Sequence, residues 1–210
     1  MTFALNEIEA TSKRATRGAG YPWGLAEEAA KATRWLCANG YDGAKVLAST
    51  LNQDMACQLC DHTPQISLEV WQANNTLCPL VTGAALSDFA FRLSDGPIAL
   101  LNVASPALLL PFAATAARQL DGTVCMECDG FSAVLTPHSL SQTGTCPDRT
   151  SRVSVFLGGT ATSTNTLQLR AAPHPDAWAT LNAFAHKTYA PATDESRRLG
   201  AGGSELTDND

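Results

Sequence analysis

The feature that most limits what this chain can fold into is a change of pattern near residue 65. Before it, helical periodicity and helix punctuation recur. After it, short apolar runs are bounded by Gly, Pro, Asp and Ser, as strands are in a single sequence. Helices first, then bunched strands without strict alternation, points to an α+β fold and away from a doubly wound sheet. The expected architecture is an N-terminal helical segment packed on a mixed or antiparallel sheet with two further helices. Neither a repeat nor a linker divides the 210 residues, so a single domain over residues 1–210 is expected, with 1–55 as a helical subdomain within it.

Three helices are predicted in the first quarter. One runs over residues 6–17, with Asn6 and Glu9 as a capping box and Lys13, Arg14 and Arg17 in the last turn. Gly18 and Gly20 then supply a left-handed exit, and Pro22 suits the first turn of a second helix over 22–38. A third occupies 42–51. Strands are expected at 66–71, 98–103, 123–127, 131–135, 152–157 and 166–170, with Asp129-Gly130 as a hairpin turn. Ser105-Pro106 should open a helix to about residue 120, kinked at Pro111, and Pro175 should open the last one. The stretch 78–88 is expected to pack rather than to line a pocket, and 136–151 reads as a surface loop.

Net charge is -6, and no window concentrates Lys and Arg, so nucleic acid is excluded as the leading partner. The opening MTFALNEIEA lacks the cationic-then-apolar pattern of a secretory leader. No run of about 18 apolar residues follows it, so a cytoplasmic protein with no membrane partner is expected. Seven cysteines without such a leader read as reduced thiols, mostly small buried hydrophobes. Four of them form two CxxC units, Cys57/Cys60 and Cys125/Cys128. These lie about 65 residues apart, and Cys125 and Cys128 should face opposite sides of a strand, so a shared zinc is not expected. Hydrolase, zinc-protease and nucleotide-loop motifs are absent, and no cofactor is expected.

Two segments carry the candidate chemistry. On the second helix, a wheel drawn from Leu25 places Glu28 on the apolar stripe with Ala29, Ala32 and Leu36, and Glu27 opposite beside Lys31. Glu28 should therefore be buried and Glu27 exposed. The junction Arg17-Gly18-Ala19-Gly20-Tyr21-Pro22-Trp23-Gly24 sets a cation, two aromatics and permissive glycines beside a helix N-terminus, an arrangement suited to an anion. The tail repeats the theme with Arg197, Arg198, Gly200 and Gly202.

The opening LNEIEATSKRATRGAGYPWGLAEEA and the ending PATDESRRLGAGGSELTDND resemble a proteobacterial family known only as a domain of unknown function. The resemblance is sharpest at the two ends and transfers no catalytic residue. It invites the expectation that the two ends meet in space, with residues 196–210 packed near 17–28. The function expected from the residues is an enzyme or enzyme subunit acting on a small polar, carboxylate-bearing metabolite. Arg17 and Arg197 would hold the anion beside Gly18, Gly20, Trp23, Gly200 and Gly202, with Glu28 and Tyr21 transferring protons. The alternative is a non-catalytic ligand-binding or protein-interaction module, a homo-oligomer or partner docking on Trp23 and Tyr21.

Overall fold

Small side chains set the packing of the helical quarter. In the computed structural model, which describes residues 1–161 and 165–189, helix α1 (Leu5–Gly18) buries Ile8, Thr11, Ser12, Ala15 and Thr16. Helix α2 (Trp23–Ala38) buries Ala26, Ala29, Ala30, Ala32, Thr33, Leu36 and Cys37. Faces built from Ala, Ser and Thr let helix axes approach closely. Two of the buried threonines are satisfied within their own helices: Thr16 Oγ1 donates to the Ser12 carbonyl at 2.8 Å and Thr33 Oγ1 to the Ala29 carbonyl at 2.7 Å. Helix α3 (Gly43–Leu51) is capped by Asp42, whose side chain accepts from the Lys45 amide.

The expected capping box does not form. Helix α1 begins at Leu5 because Phe3–Ala4 is engaged as strand β1, and its N-cap, Ala4, makes no side-chain bond. Strand β1 pairs antiparallel with β8 (Arg170–Ala171), a two-residue ladder that joins the N-terminal region to the far end of the chain.

The main sheet contains β2 (Val70–Trp71), β3 (Ile98–Ala104), β4 (Val124–Cys128), β5 (Phe131–Leu135), β6 (Leu140–Thr143) and β7 (Arg149–Leu157). Its order is β2-β3-β7-β4-β5-β6, and only the β2/β3 pair is parallel, so the sheet is mixed. The register aligns Ile98 with Val155, Met126 with Val155 and with Ala133, and Cys128 with Phe131. These inward residues are buried against the helices. Glu127, Ser132, Arg152 and Ser154 fall on the other face, as a period of two requires. Asp129 and Gly130 both take positive φ, 42° and 77°, at the expected β4–β5 turn.

Among the described residues, three further helices stand where two were expected. Residues 78–88 form helix α4 (Pro79–Asp88), apolar or small on every side, so its sequence lacks the amphipathic stripe that marks a surface helix. Helix α5 (Leu110–Gln119) follows a 3-10 turn at Pro106–Leu109, and Pro111 sits in its first turn, where a missing N–H costs nothing and no kink arises. Helix α6 (Pro175–His186) starts after His174, whose Nδ1 accepts from the Asp176 amide. Strand β6 lies inside the predicted loop, and the strands expected at 66–71 and 166–170 shrink to two-residue pairings.

Helices α1 and α6 approach closely at Gly18. A Cβ on Gly18 would stand 1.8 Å from the Phe184 carbonyl oxygen, so only glycine allows α6 to pass. Gly18→Ala should therefore cost about 1–3 kcal/mol or more in urea unfolding. Gly24→Ala, at a helical position with open space around it, should be neutral or gain up to about 1 kcal/mol. Equal effects of the two substitutions would contradict this packing.

Candidate functional site

The residues singled out in the sequence sit in separate surroundings. Tyr21 is 1% exposed, with its phenol against the Cys78 thiol at 3.6 Å. Burial pushes the Tyr21 phenol well above its ordinary range and raises the Cys78 thiol as well. A phenol enclosed in the core does not reach solvent. Glu28, expected to be buried, has a side chain 41% exposed and paired with Lys31 at 2.8 Å, while Glu27 is 52% exposed and paired with Lys13 on α1 at 2.7 Å. The buried face of α2 is centred about 70° round from the stripe drawn through Leu25 and Trp35, because Ala26, Ala30 and Thr33 make the close contacts. Each glutamate then lies about 130° from that centre, one on either flank.

Arg17 donates to the Tyr21 carbonyl and stacks on the Trp23 indole, 4.7 Å from its centroid, with Lys13 at 5.7 Å. Trp23 is 60% exposed. Gly20 takes φ +99°, the left-handed exit expected of this junction, whereas Gly18 remains helical and serves the α6 contact. Arg197, Gly200 and Gly202 lie outside the described residues. The expected packing of 196–210 near 17–28 likewise lies outside them; within the described residues, the Arg14 guanidinium donates to the Tyr189 hydroxyl at 2.9 Å.

A cleft of about 390 Å³ opens elsewhere, between the start of α3, the end of β3 and the β6–β7 connection. Tyr41, Lys45 and Ser49 form one wall, Gln142, Thr145, Cys146 and Asp148 the other, with Ser105 and Phe131 below. The Tyr41 hydroxyl donates to Gln142 Oε1, and burial raises that phenol. Asp42 is committed to backbone, accepting from the Lys45 amide at 3.0 Å and from the His174 amide at 2.9 Å. Lys45 Nζ makes no ion pair among the described residues. Ser105 holds φ 45° and ψ 56°, a left-handed conformation costing a non-glycine residue about 1–2 kcal/mol. Its amide donates to the Asp148 carbonyl at 2.8 Å.

Cys146 lines this cleft, and Cys128 is its neighbouring thiol. The Cys146 thiol as a neighbour lowers the Cys128 thiol, while Cys128 and burial raise Cys146. Cys125 faces the opposite side of the sheet, against Ser132 at 3.7 Å. The Cys57 thiol donates to Asp54 at 3.1 Å, and both Cys57 and Cys60 are exposed. Among the described residues no three His, Cys, Asp or Glu side chains converge as a metal ion requires. No helix among them is long and apolar enough to cross a membrane.

None of the cleft residues stood out in the sequence. The only signal was the Ser, Thr, Gly and Pro content of 136–151, a composition that marks loops, where binding groups concentrate.

Residues 3–91 match the family model described as "Protein of unknown function (DUF3726)". The match supports likeness to an uncharacterised family over the helical quarter and through α4. No curated protein matches the chain. Among solved structures, the crystal structure of malate dehydrogenase from Entamoeba histolytica is similar at 14% identity and a TM-score of 0.44. The alignment covers 78% of this chain and 50% of that one, so this chain spans about half its length.

Alkaline titration tests the burial of the phenols. With folded-state values raised for Tyr21 and Tyr41, both stay protonated in the native protein as pH passes 10, the ordinary tyrosine value, while the unfolded chain loses those protons. Their contribution to stability is complete below pH 10 and declines above it. Phenolate absorbance should show both ionising together with unfolding, and Tyr21→Phe should remove one phenolate from that step. Ionisation of Tyr21 without unfolding would contradict its enclosure.

Proposed function

We propose that this chain binds a small polar metabolite bearing a carboxylate, in the cleft between α3 and the β6–β7 connection. The observation that carries this reading is Lys45: a cation without an ion-pair partner among the described residues, on the wall of a concave site lined by Ser49, Ser105, Gln142 and Thr145. A cleft of about 390 Å³ suits a metabolite-sized ligand. In it, a carboxylate would take a charge-assisted bond from Nζ and weaker ones from the hydroxyls and amide. Asp148, on the opposite wall, is matched to an ammonium or hydroxyl on the same ligand, so an amino or hydroxy acid fits both walls better than a simple fatty acid.

This keeps the ligand class expected from the sequence and moves its site. Arg17 and Trp23 are engaged with each other, and the Tyr21 phenol is shut in the core. Proton transfer by Glu28 and Tyr21 is therefore not part of the proposal. Lys45 is the amine nucleophile on the cleft wall, whereas the raised Cys146 thiol stays protonated.

Calorimetric titration with a panel of small carboxylates, amino acids and hydroxy acids tests the reading. A ligand found in this way should bind Lys45→Gln at least tenfold more weakly, the loss of one charge-assisted bond of about 1.5–3 kcal/mol. Arg17→Gln should leave its affinity unchanged. Weakening by Arg17→Gln and not by Lys45→Gln would return the site to the α1–α2 junction.

A further inference from the structure

Ser105 stands where the chain leaves β3 at Ala104 and enters the 3-10 turn at Pro106. Its backbone is engaged on both sides: the amide donates to the Asp148 carbonyl at 2.8 Å, and the carbonyl accepts the Leu108 amide at 2.9 Å. These bonds hold φ 45° and ψ 56° in a residue that carries a Cβ. The proline that follows adds to the strain, since it steers the residue before it toward extended backbone. Such a conformation persists where the surroundings over-determine it, and it recurs where a side chain must be presented to a ligand.

The side chain gains no partner in return. Ser105 is 5% exposed and borders the cleft, yet its hydroxyl makes no hydrogen bond among the described residues. The hydroxyls of Ser12, Thr82 and Ser87 also lack partners, but they are sealed from solvent. Ser105 Oγ is not one of these sealed groups, so it opens onto the cleft. A hydroxyl so enclosed has lost most of its water, and a bond to a ligand restores what it has lost. Strands β3 and β7 pair Ala104 with Arg149, and the bond from Ser105 to Asp148 extends that pairing by one position. Ser105 and Asp148 are therefore neighbours on the cleft lining, and Asp148 makes no ion pair among the described residues.

We propose that Ser105 is the specificity-determining residue of this cleft, its hydroxyl bonding the hydroxyl or amino substituent of a carboxylate held at Lys45. The inference rests on the ligand reading above and adds to it the residue that separates a substituted acid from its unsubstituted parent. Lys45 supplies a charge that acts alike on every carboxylate. Ser105 supplies one directional bond, made only when an O–H or N–H is placed against it. With the parent acid that bond is missing, and an enclosed hydroxyl is left unpaired. Because the Ser105 backbone is already fixed at both its amide and its carbonyl, little freedom is lost when the bond forms.

Calorimetric titration of the full-length protein with lactate and alanine against propionate, and with 2-hydroxyglutarate and glutamate against glutarate, tests the assignment. In the unsubstituted protein, at least one substituted acid should bind about fivefold or more tightly than its parent, the effect of one net hydrogen bond. Ser105→Ala should cut that ratio by about threefold or more and leave the affinity for the parent within about twofold. Lys45→Gln should weaken substituted and parent acids alike and preserve the ratio. Ser105→Gly separates recognition from stability, because it removes the hydroxyl while glycine adopts φ 45° freely. It should melt no lower than the unsubstituted protein and lose the ratio as Ser105→Ala does. A ratio unchanged in both Ser105 variants, with Lys45→Gln still weakening binding, would overturn the role of Ser105 and leave the carboxylate reading standing. Binding by none of these acids would overturn both.

Discussion

The near-contact of Gly18 with the Phe184 carbonyl holds the two ends of this fold together, and much of the rest is arranged around it. Helix α6 can lie against α1 only because no side chain intervenes at residue 18. With α6 in place, the Ala171 region reaches back to pair with Phe3, and the His174 amide reaches Asp42 at 2.9 Å. Asp42 is also the cap of α3. A single close approach between helices thus bears on where the first turn of α3, and with it Lys45, stands beside the cleft.

The cleft is a product of long-range assembly. Its walls come from residues 41–49, Ser105, Phe131 and 142–148, which are brought together only when α3, the end of β3 and the β5–β6 hairpin converge. Its polar groups divide into committed and available ones. Both Asp42 oxygens take backbone amides, and the Tyr41 hydroxyl is held by Gln142. Lys45 stays outside every described ion pair, which is why the ligand proposal centres on it.

The sequence was most legible where one local rule decided the outcome. The hairpin at Asp129-Gly130, the start of α6 at Pro175 and the left-handed Gly20 follow from turn and cap chemistry that needs no distant partner. The reading failed where burial was decided by a neighbour. On α2, the wheel centred the apolar stripe on Leu25. The face that packs is the one made of alanines and threonine, since small side chains let the helices close on each other. Glu28 consequently lies on a flank of the helix, paired with Lys31. Helix α4 was missed for the converse reason: a helix apolar on all sides carries no stripe to detect.

By itself, then, the sequence determined the class of fold, the helical first quarter, the hairpin and most of the strand positions, because periodicity and turn residues act over a few residues at a time. It could not determine which cysteines are neighbours in space. CxxC spacing is a statement about neighbours along the chain, whereas Cys146 becomes a neighbour of Cys128 through the register of β5 with β6 and the fit of Gly144 over the turn. Nor could it determine the cleft, whose residues are scattered along the chain from Tyr41 to Asp148 and share no motif. Those relations are tertiary because they are set by strand pairing and helix packing between distant segments, and no local pattern encodes a distance between them.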